Sequence, residues 1–439
     1  MDLTDLQTYK DFGSIVNSVI TSSPQTCAED LFYNPANKSF IHPVRGGRFT
    51  EVNDNGAKRF LKACGVKSEA IDAFLFKAQS ERSIAYCGPL AGYKAGAYLI
   101  NNNPVLVDSS PVWIPGEQGS WGMVMGLLIN MLSPLQMQHF CYWLGFARQS
   151  ISQRIHIPGQ ALVLAGPAGS GKSLTQDQII TPLLGGRKGN PFPFLSGRTP
   201  FNAELLGYEH LAIADQTSHT DYHSRREFGE RLKDIVANTG HRCERKYGMP
   251  VELDPFWRVS ISLNDEPENL QILPPIEESL ADKLMIFLIN KVPMPMPTGS
   301  PQERRDFANE IRSQLPAFIH SFEDLIPDGD FLDSRYGVRA YHNPVITGAL
   351  QEMTPEEQLK DLLLQVLITD TWEGTATELH RKLCADGAMS RQAYTLLRNV
   401  STLANYLARL SKLYGAAIRR SPRSNRGRGW EIDTTLLKS

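Results

Sequence analysis

At 439 residues the chain has room for roughly two to four domains, each with a real core. Its 45 basic and 47 acidic side chains nearly cancel, which excludes a whole-molecule field that would draw in nucleic acid and leaves that task to local charge. Six scattered cysteines with no CxxC and no Cys/His cluster argue against a zinc site and for a reducing compartment. The acidic start, "MDLTDLQTYKDFG", lacks the layout of a signal peptide.

Residues 1 to about 120 are rich in turns and short strands, as in "DLFYNPANKSFIHPVRGGRF". No pair of acids there suits a primase active site. Two apolar stretches follow, around 121–132 and 135–149, and both read as helices. The longest apolar run, "MVMGLLINML" at 123–132, is about half a membrane span and contains Asn130, so a core helix of a soluble, cytoplasmic protein is expected. Trp113, Trp121 and Trp143 are expected in the core rather than as base-stacking platforms.

From "IPGQALVLAG" onward the pattern changes to buried strands separated by helices, the signature of a parallel sheet with crossovers. Strands are predicted at 161–165, 210–214, 257–263 and 283–289, with helices at 171–181 and 225–238. The first strand runs into a complete GxxxxGK[ST] phosphate loop: Gly166, Pro167, Ala168, Gly169, Ser170, Gly171, Lys172, Ser173, then Leu174. Its glycines let successive backbone N–H groups turn onto phosphates, with a helix N-terminus behind them. Lys172 can reach the β/γ oxygens of a bound ATP, and the Ser173 hydroxyl can ligate Mg²⁺.

About forty residues on, "HLAIAD" ends in Asp215, where the Mg²⁺-side acid of a Walker B strand belongs. The third strand, "FWRVSISLND", ends in Asn264, which could orient attacking water beside the γ-phosphate or simply start a turn. Between them "TGHRCERKYGMPVEL" carries His241, Arg242, Arg245, Lys246 and Tyr247 in a hairpin-like setting. Such a hairpin can grip a phosphate backbone and stack a base, or can be a solvated turn. "VPMPMPTGS" at 292–300 is a linker or surface strap, and a helix follows at roughly 302–322.

The tail reads as three helices, "EEQLKDLLLQVLIT", "TATELHRKLC" and "SRQAYTLLRNVSTLANYLARLSKL", then two strands joined by a basic turn. That order predicts a winged helix-turn-helix. Residues 411–439 hold seven Lys/Arg against two acids, with Arg419, Arg420, Arg423, Arg426 and Arg428 around the turn. Arginines on a wing suit phosphate or minor-groove contact. Thr402, Asn405 and Arg409 fall on one side of the candidate recognition helix. A protein-binding winged helix or a solvated hairpin are the alternatives.

Phosphate loop, acid-ending strand, basic hairpin and Asn-ending strand together resemble the superfamily-3 helicases, compact AAA+ motors of viruses, phages and plasmids. "PGQALVLAGPAGSGKSL", "LLGGR", "FN", "FWRVSISLNDEP", "LPP" and "LADK" resemble in particular the helicase part of phage and mobile-element primase-helicases. The resemblance spans roughly 130–345. It implies an α/β fold with an AAA+ P-loop NTPase core, an α+β N-terminal accessory region and a C-terminal winged helix. The expected divisions are 1–120, 121–325, a linker at 326–354, and 355–439. It further implies Mg²⁺ at Ser173 and Asp215, γ-phosphate sensing by Asn264, and DNA contact by Lys246 and its neighbours. A homo-hexameric ring on single-stranded or forked DNA would be the working form, in a bacterial host cell and with any primase or polymerase supplied separately.

Two positions depart from that family. The subunit-bridging arginine has no obvious counterpart; Lys283, Arg258, Arg225 and Arg226 are the candidates. Gln216 stands where such ATPases often carry a second acid. An amide only orients water, whereas general-base help is worth about 10²–10⁴-fold. Three readings stay open: a natural amide, an engineered Glu-to-Gln trap, or a carboxylate from elsewhere, such as Asp221 or a neighbouring subunit. The expected function is ATP-dependent unwinding of DNA, with an ATP-switched, non-motor assembly factor as the alternative.

Overall fold

The computed structural model describes residues 28–44, 48–214, 222–244, 250–352, 354–367, 369–385, 387, 389–424 and 427–438, without the side chains of 222–223, 422–424, 427–428 and 438. The chain divides into two units after Ile346. No helix among the described residues is long and apolar enough to cross a membrane. Five of the cysteines (Cys64, Cys87, Cys141, Cys243 and Cys384) are free thiols.

The first unit opens with two small sheets. One is antiparallel, built of β1 (Phe32–Asn34), β2 (Ser39–Val44) and β3 (Arg48–Val52). The other is mixed, with β4 (Tyr86–Gly88), β5 (Gly96–Ile100) and β6 (Asn103–Val107). Then comes one helical run, Gly122–Gln153, broken at Ser133, whose φ of 64° is left-handed, with Pro134 directly after it. The two helices expected from the sequence are the two arms of this kinked run.

The centre is a five-stranded parallel sheet. Its strands are β7 (Ala161–Ala165), β8 (Lys188–Gly189), β9 (His210–Ala214), β12 (Arg258–Leu263) and β13 (Leu284–Leu288), in the order β13-β7-β12-β9-β8. The hairpin of β10 (His241–Cys243) and β11 (Val251–Leu253) lies between β9 and β12 in sequence. All four predicted strands are present to within a residue. Continuous apolar runs such as "ALVLA" and "LMIFL" suit strands covered on both faces. One face, with Leu162, Leu164, Met285 and Phe287, packs on the kinked helical run and on helix Pro301–Phe322. Trp143 is fully buried there, while Trp113 and Trp121 pack against the same core.

The stretch expected as a linker is partly built into this unit. The ribbon β14 (Leu332–Asp333) and β15 (Gly337–Val338) returns the chain so that Gln160 Nε2 donates to Val338 O (2.6 Å). The second unit is described by itself. Helices Pro355–Val366, Ala376–Ala385, Ser390–Leu396 and Val400–Leu413 surround one core with a sheet ordered β16-β18-β17. Those strands are β16 (Thr371–Thr375), β17 (Ile418–Ser424) and β18 (Gly427–Asp433). The third predicted tail helix is two helices, because the Asn399 side chain accepts from Thr402 N and starts a new one.

Two buried polar assemblies hold the centre. Glu209, with no exposure, pairs with Arg187 and accepts from Gly92 N (2.9 Å), while Arg187 Nη2 also donates to Leu90 O (3.0 Å). This joins the N-terminal sheets to the parallel sheet. The second assembly is a ring. Gln176 Nε2 donates to Ser260 Oγ (2.8 Å), which lies 2.7 Å from His210 Nε2. His210 Nδ1 lies 2.7 Å from Thr181 Oγ1, which donates to Gln176 O (2.8 Å). One proton arrangement satisfies every member: Ser260 donates to Nε2, and Nδ1–H donates to Thr181. It requires a neutral imidazole.

Arg187→Ala is expected to cost about 3–5 kcal/mol, because Glu209 would be left buried and unpaired. Urea denaturation measures this, and a loss under about 1 kcal/mol would reduce the pair to the level of a surface ion pair. Burial, with Lys188 nearby, pushes the His210 pKa down to about 3. The unfolded chain takes up this proton below about pH 6.5 and the folded chain does not. Stability therefore falls with pH through that window by about 1.4 kcal/mol per unit. His210→Gln should remove up to one proton's worth of that slope in denaturation curves between about pH 6 and 4. An unchanged slope would rule out a neutral His210.

Candidate nucleotide site and nucleic-acid interface

All five central strands run parallel, so their C-terminal ends share one edge, where ligands of open α/β sheets bind. β7 ends there in the phosphate loop. Gly169 and Gly171 have φ of +73° and +90°, conformations that favour glycine. Gly166 is required by space instead, since a Cβ would stand 2.3 Å from Ile289 O. The loop feeds a helical run that includes Lys172–Leu174 and a π-helical stretch, Thr175–Ile180. Leu174 packs partly on the core, and Pro167 and Ala168 form the outer turn.

Lys172 is buried. Its Nζ donates to Gly166 O (2.6 Å), Pro167 O (2.8 Å), Ser170 Oγ (3.4 Å) and Asn264 Oδ1 (3.1 Å). Asn264 directly follows β12, so two predicted site residues 92 positions apart meet at the loop. Ser173 is exposed on the first helical turn. One exposed hydroxyl fits Mg²⁺, which keeps waters and phosphate oxygens and needs only one or two protein ligands. Among the described residues no group of three His, Cys, Asp or Glu could hold a metal by itself. Asp215 and Gln216, next after β9 in the chain, lie outside the described residues, as does Asp221.

Of the four candidates for a subunit-bridging cation, three are buried within their own subunit. Arg258 Nη1 and Nη2 donate to Trp257 O and Ile157 O (both 2.8 Å), and burial pushes its pKa down to about 10. Arg225 Nε donates to Leu273 O (2.8 Å), and Lys283 Nζ to Ser279 O and Asp282 Oδ1 (both 2.8 Å). A group that must reach a neighbouring subunit has to leave its own surface. Arg226 alone of the four is exposed.

At the basic hairpin, Arg242 is exposed and within 3.6 Å of Glu244. His241 is core: its ring packs 4.8 Å from Trp257, and Nε2 lies 3.2 Å from Asn238 O. Arg245, Lys246 and Tyr247 lie outside the described residues. Asn202, half of the quoted "FN", clamps the hairpin root. It donates to Arg242 O and accepts from Glu244 N, each at 2.8 Å. No local pattern points to that role, because the partners are some forty residues away.

In the second unit Arg419 is exposed and donates to Ala416 O (2.8 Å), and Arg420 lies over the Trp430 ring at 5.3 Å. The side chains of Arg423 and Arg428, and all of Arg426, lie outside the described residues. On helix Val400–Leu413, Asn405 is exposed, whereas Arg409 pairs with Glu356 (2.9 Å) and Thr402 bonds its cap Asn399 (3.0 Å).

Residues 164–277, about a quarter of the chain, match a family described as one of unknown function (DUF5906). No curated protein matches the sequence. Among solved structures the chain is similar to the A-form apo structure of the NrS-1 C-terminal region, at 13% identity and a TM-score of 0.54, over 92% of this chain and 96% of that one. Another apo structure of the region gives 14% identity and 0.53, over 92% and 95%. An active helicase, SCCmec type IV Cch, aligns at 12% identity over 93% and 94%, with a TM-score of 0.38 that carries no weight. At these identities the likeness to the NrS-1 region is one of fold, a mixed α/β chain matched over nearly its whole length.

Proposed function

We propose that the chain is an ATP-dependent DNA helicase or origin-unwinding protein of a phage or mobile genetic element, acting as an AAA+ ring on single-stranded or forked DNA. The observation that carries the reading is the Lys172–Asn264 bond (3.1 Å) at the C-terminal edge of the parallel sheet. A phosphate-binding cation and a polar amide meet there, so an entering terminal phosphate separates them. Phosphate oxygens replace Asn264 Oδ1 and the loop carbonyls as acceptors for Lys172. Asn264 is then released to orient water in line with the γ-phosphate. Ser173 and Asp215 are the residues that would hold Mg²⁺, which would supply charge neutralisation at the phosphates.

The central order β13-β7-β12-β9-β8 and the hairpin between β9 and β12 support an AAA+ motor whose hairpin grips DNA through Arg242, Arg245, Lys246 and Tyr247. The tail order of helix, strand, helices and two strands supports a winged helix, with Arg419, Arg420, Arg423, Arg426 and Arg428 on its wing. Arg226 is the candidate bridging arginine of a homo-hexamer. Any primase or polymerase is a separate partner. One observation favours a second reading, an ATP-switched assembly factor without motor activity: the amide Gln216 where a second carboxylate would activate water.

Steady-state ATPase activity with and without single-stranded DNA tests both. Lys172→Ala is expected to lower turnover by at least about a hundredfold, as for loss of a main phosphate clamp. Gln216→Glu should raise it by about a hundredfold or more if the amide disables a motor. DNA-stimulated turnover by the unaltered chain, little changed in Gln216→Glu, would make the amide a working part. Absence of hydrolysis from both under every DNA condition would favour the switch. In a forked-DNA assay the motor unwinds with ATP and not with a non-hydrolysable analogue.

Gly166→Ala tests the loop's geometry. Overpacking against Ile289 O should cost about 1–3 kcal/mol, read as nucleotide affinity weakened by about five- to 150-fold. Unchanged affinity by fluorescence titration would show that the loop need not hold this shape to bind.

A further inference from the structure

We propose that Lys291 is a second phosphate-contacting cation of the loop, acting on its nucleoside side and holding the phosphates that ATP and ADP share. This rests on the nucleotide-binding reading above. A Cβ at Gly169 would stand 3.9 Å from Lys291 Nζ and 4.0 Å from its Cε, so the ammonium lies directly against the loop. Lys291 is exposed, and among the described residues its side chain has no hydrogen-bond or ion-pair partner.

The backbone that presents it is fixed. Leu288 exchanges two hydrogen bonds with the buried amide of Gln136 (2.9 and 2.8 Å). Ile289 N donates to Ala165 O (2.7 Å) and Asn290 N to Met131 O (2.9 Å). Ile289 O is the atom packed against Gly166. Pro293, Pro295 and Pro297 follow at alternate positions and restrict the strap beyond. With the backbone fixed, only the freedom of the Lys291 side chain is lost when it binds.

Strand order assigns the side. β7, which carries the loop, lies between β12 and β13. Asn264 approaches from β12 and meets Lys172 there, so the terminal phosphate belongs on that flank. Lys291 leaves β13 on the opposite flank, where the α-phosphate, ribose and base must run out of the loop. Its charge therefore serves binding of di- and triphosphate alike, and it does not report on the γ-phosphate.

Titration of the full chain with fluorescently labelled ATP and ADP tests this, with Lys172→Ala as control. Lys291→Ala should weaken both nucleotides by a similar factor, roughly ten- to a hundredfold as for a charge-assisted hydrogen bond. Lys291→Arg should recover most of the affinity, and unchanged melting curves would show that the exposed substitution leaves the fold intact. Affinity unchanged for both nucleotides in Lys291→Ala, while Lys172→Ala weakens them, would overturn the assignment. Weakening confined to ATP would overturn it too, by moving Lys291 to the γ-phosphate. If the unaltered chain bound neither nucleotide, the nucleotide-binding reading itself would fail and Lys291 with it.

Discussion

The ring of hydrogen bonds through Gln176, Ser260, His210 and Thr181 is the constraint on which the site's geometry depends. A phosphate loop works only if the helix behind it is held at one height and rotation against the sheet. Apolar packing alone leaves such a helix able to slide, because greasy surfaces are tolerant of register. Polar groups buried without partners cost about 1–3 kcal/mol each, so a closed ring has one acceptable arrangement. Here it ties the helical run to β9 and β12 together. Gln176 also donates to Ile213 O (3.2 Å), just before the end of β9. The π-helical stretch belongs to the same run, with Thr175, Gln176, Ile179 and Ile180 all buried.

With the helix fixed, both flanks of the loop are fixed as well. On one side Gly166 N donates to Leu263 O (3.2 Å), which sets Asn264 beside Lys172. On the other, the end of β13 is bonded to Ala165 and to the kinked helical run through Met131 and Gln136. The break at Ser133–Pro134 thus has a structural use, since it leaves Met131 O and the Gln136 amide available to a strand edge. Arg258 belongs to the same scaffold. Its guanidinium fills the space beside Gly159, and two carbonyls accept its protons, so its charge props the start of β12 and does not project outward.

Much of this was legible in the sequence, and the rest was hidden for identifiable reasons. Strands such as "ALVLA" and "LMIFL" announce themselves because both faces are apolar, and the phosphate loop because its chemistry tolerates few residue types. Asn264 could be placed at the loop from its position after a strand. Residues such as Lys291, Asn202 and His210 could not, because their roles depend on partners between 29 and 122 positions away, a separation no local pattern encodes. The apolar period continues across Arg398 and Asn399 and predicts one long tail helix, which only the capping geometry of Asn399 divides in two. Arg258 misled in the opposite way. A strand-borne arginine has the composition of a functional group, and burial with satisfied donors makes it structural.

The hairpin root limits how chemistry at the loop could reach DNA. Trp257, just before β12, donates to Ile235 O of helix Tyr222–Ala237 (3.0 Å) and packs against the His241 ring. Cys243 and Leu253, across the same hairpin, are buried, and Asn202 clamps its outer edge at Arg242 and Glu244. Helix, hairpin root and β12, the strand before Asn264, therefore form one packed piece. A hairpin that swung independently would have to break that packing, at a cost of several buried contacts per step. Whatever the hairpin carries, its root therefore moves with its own sheet.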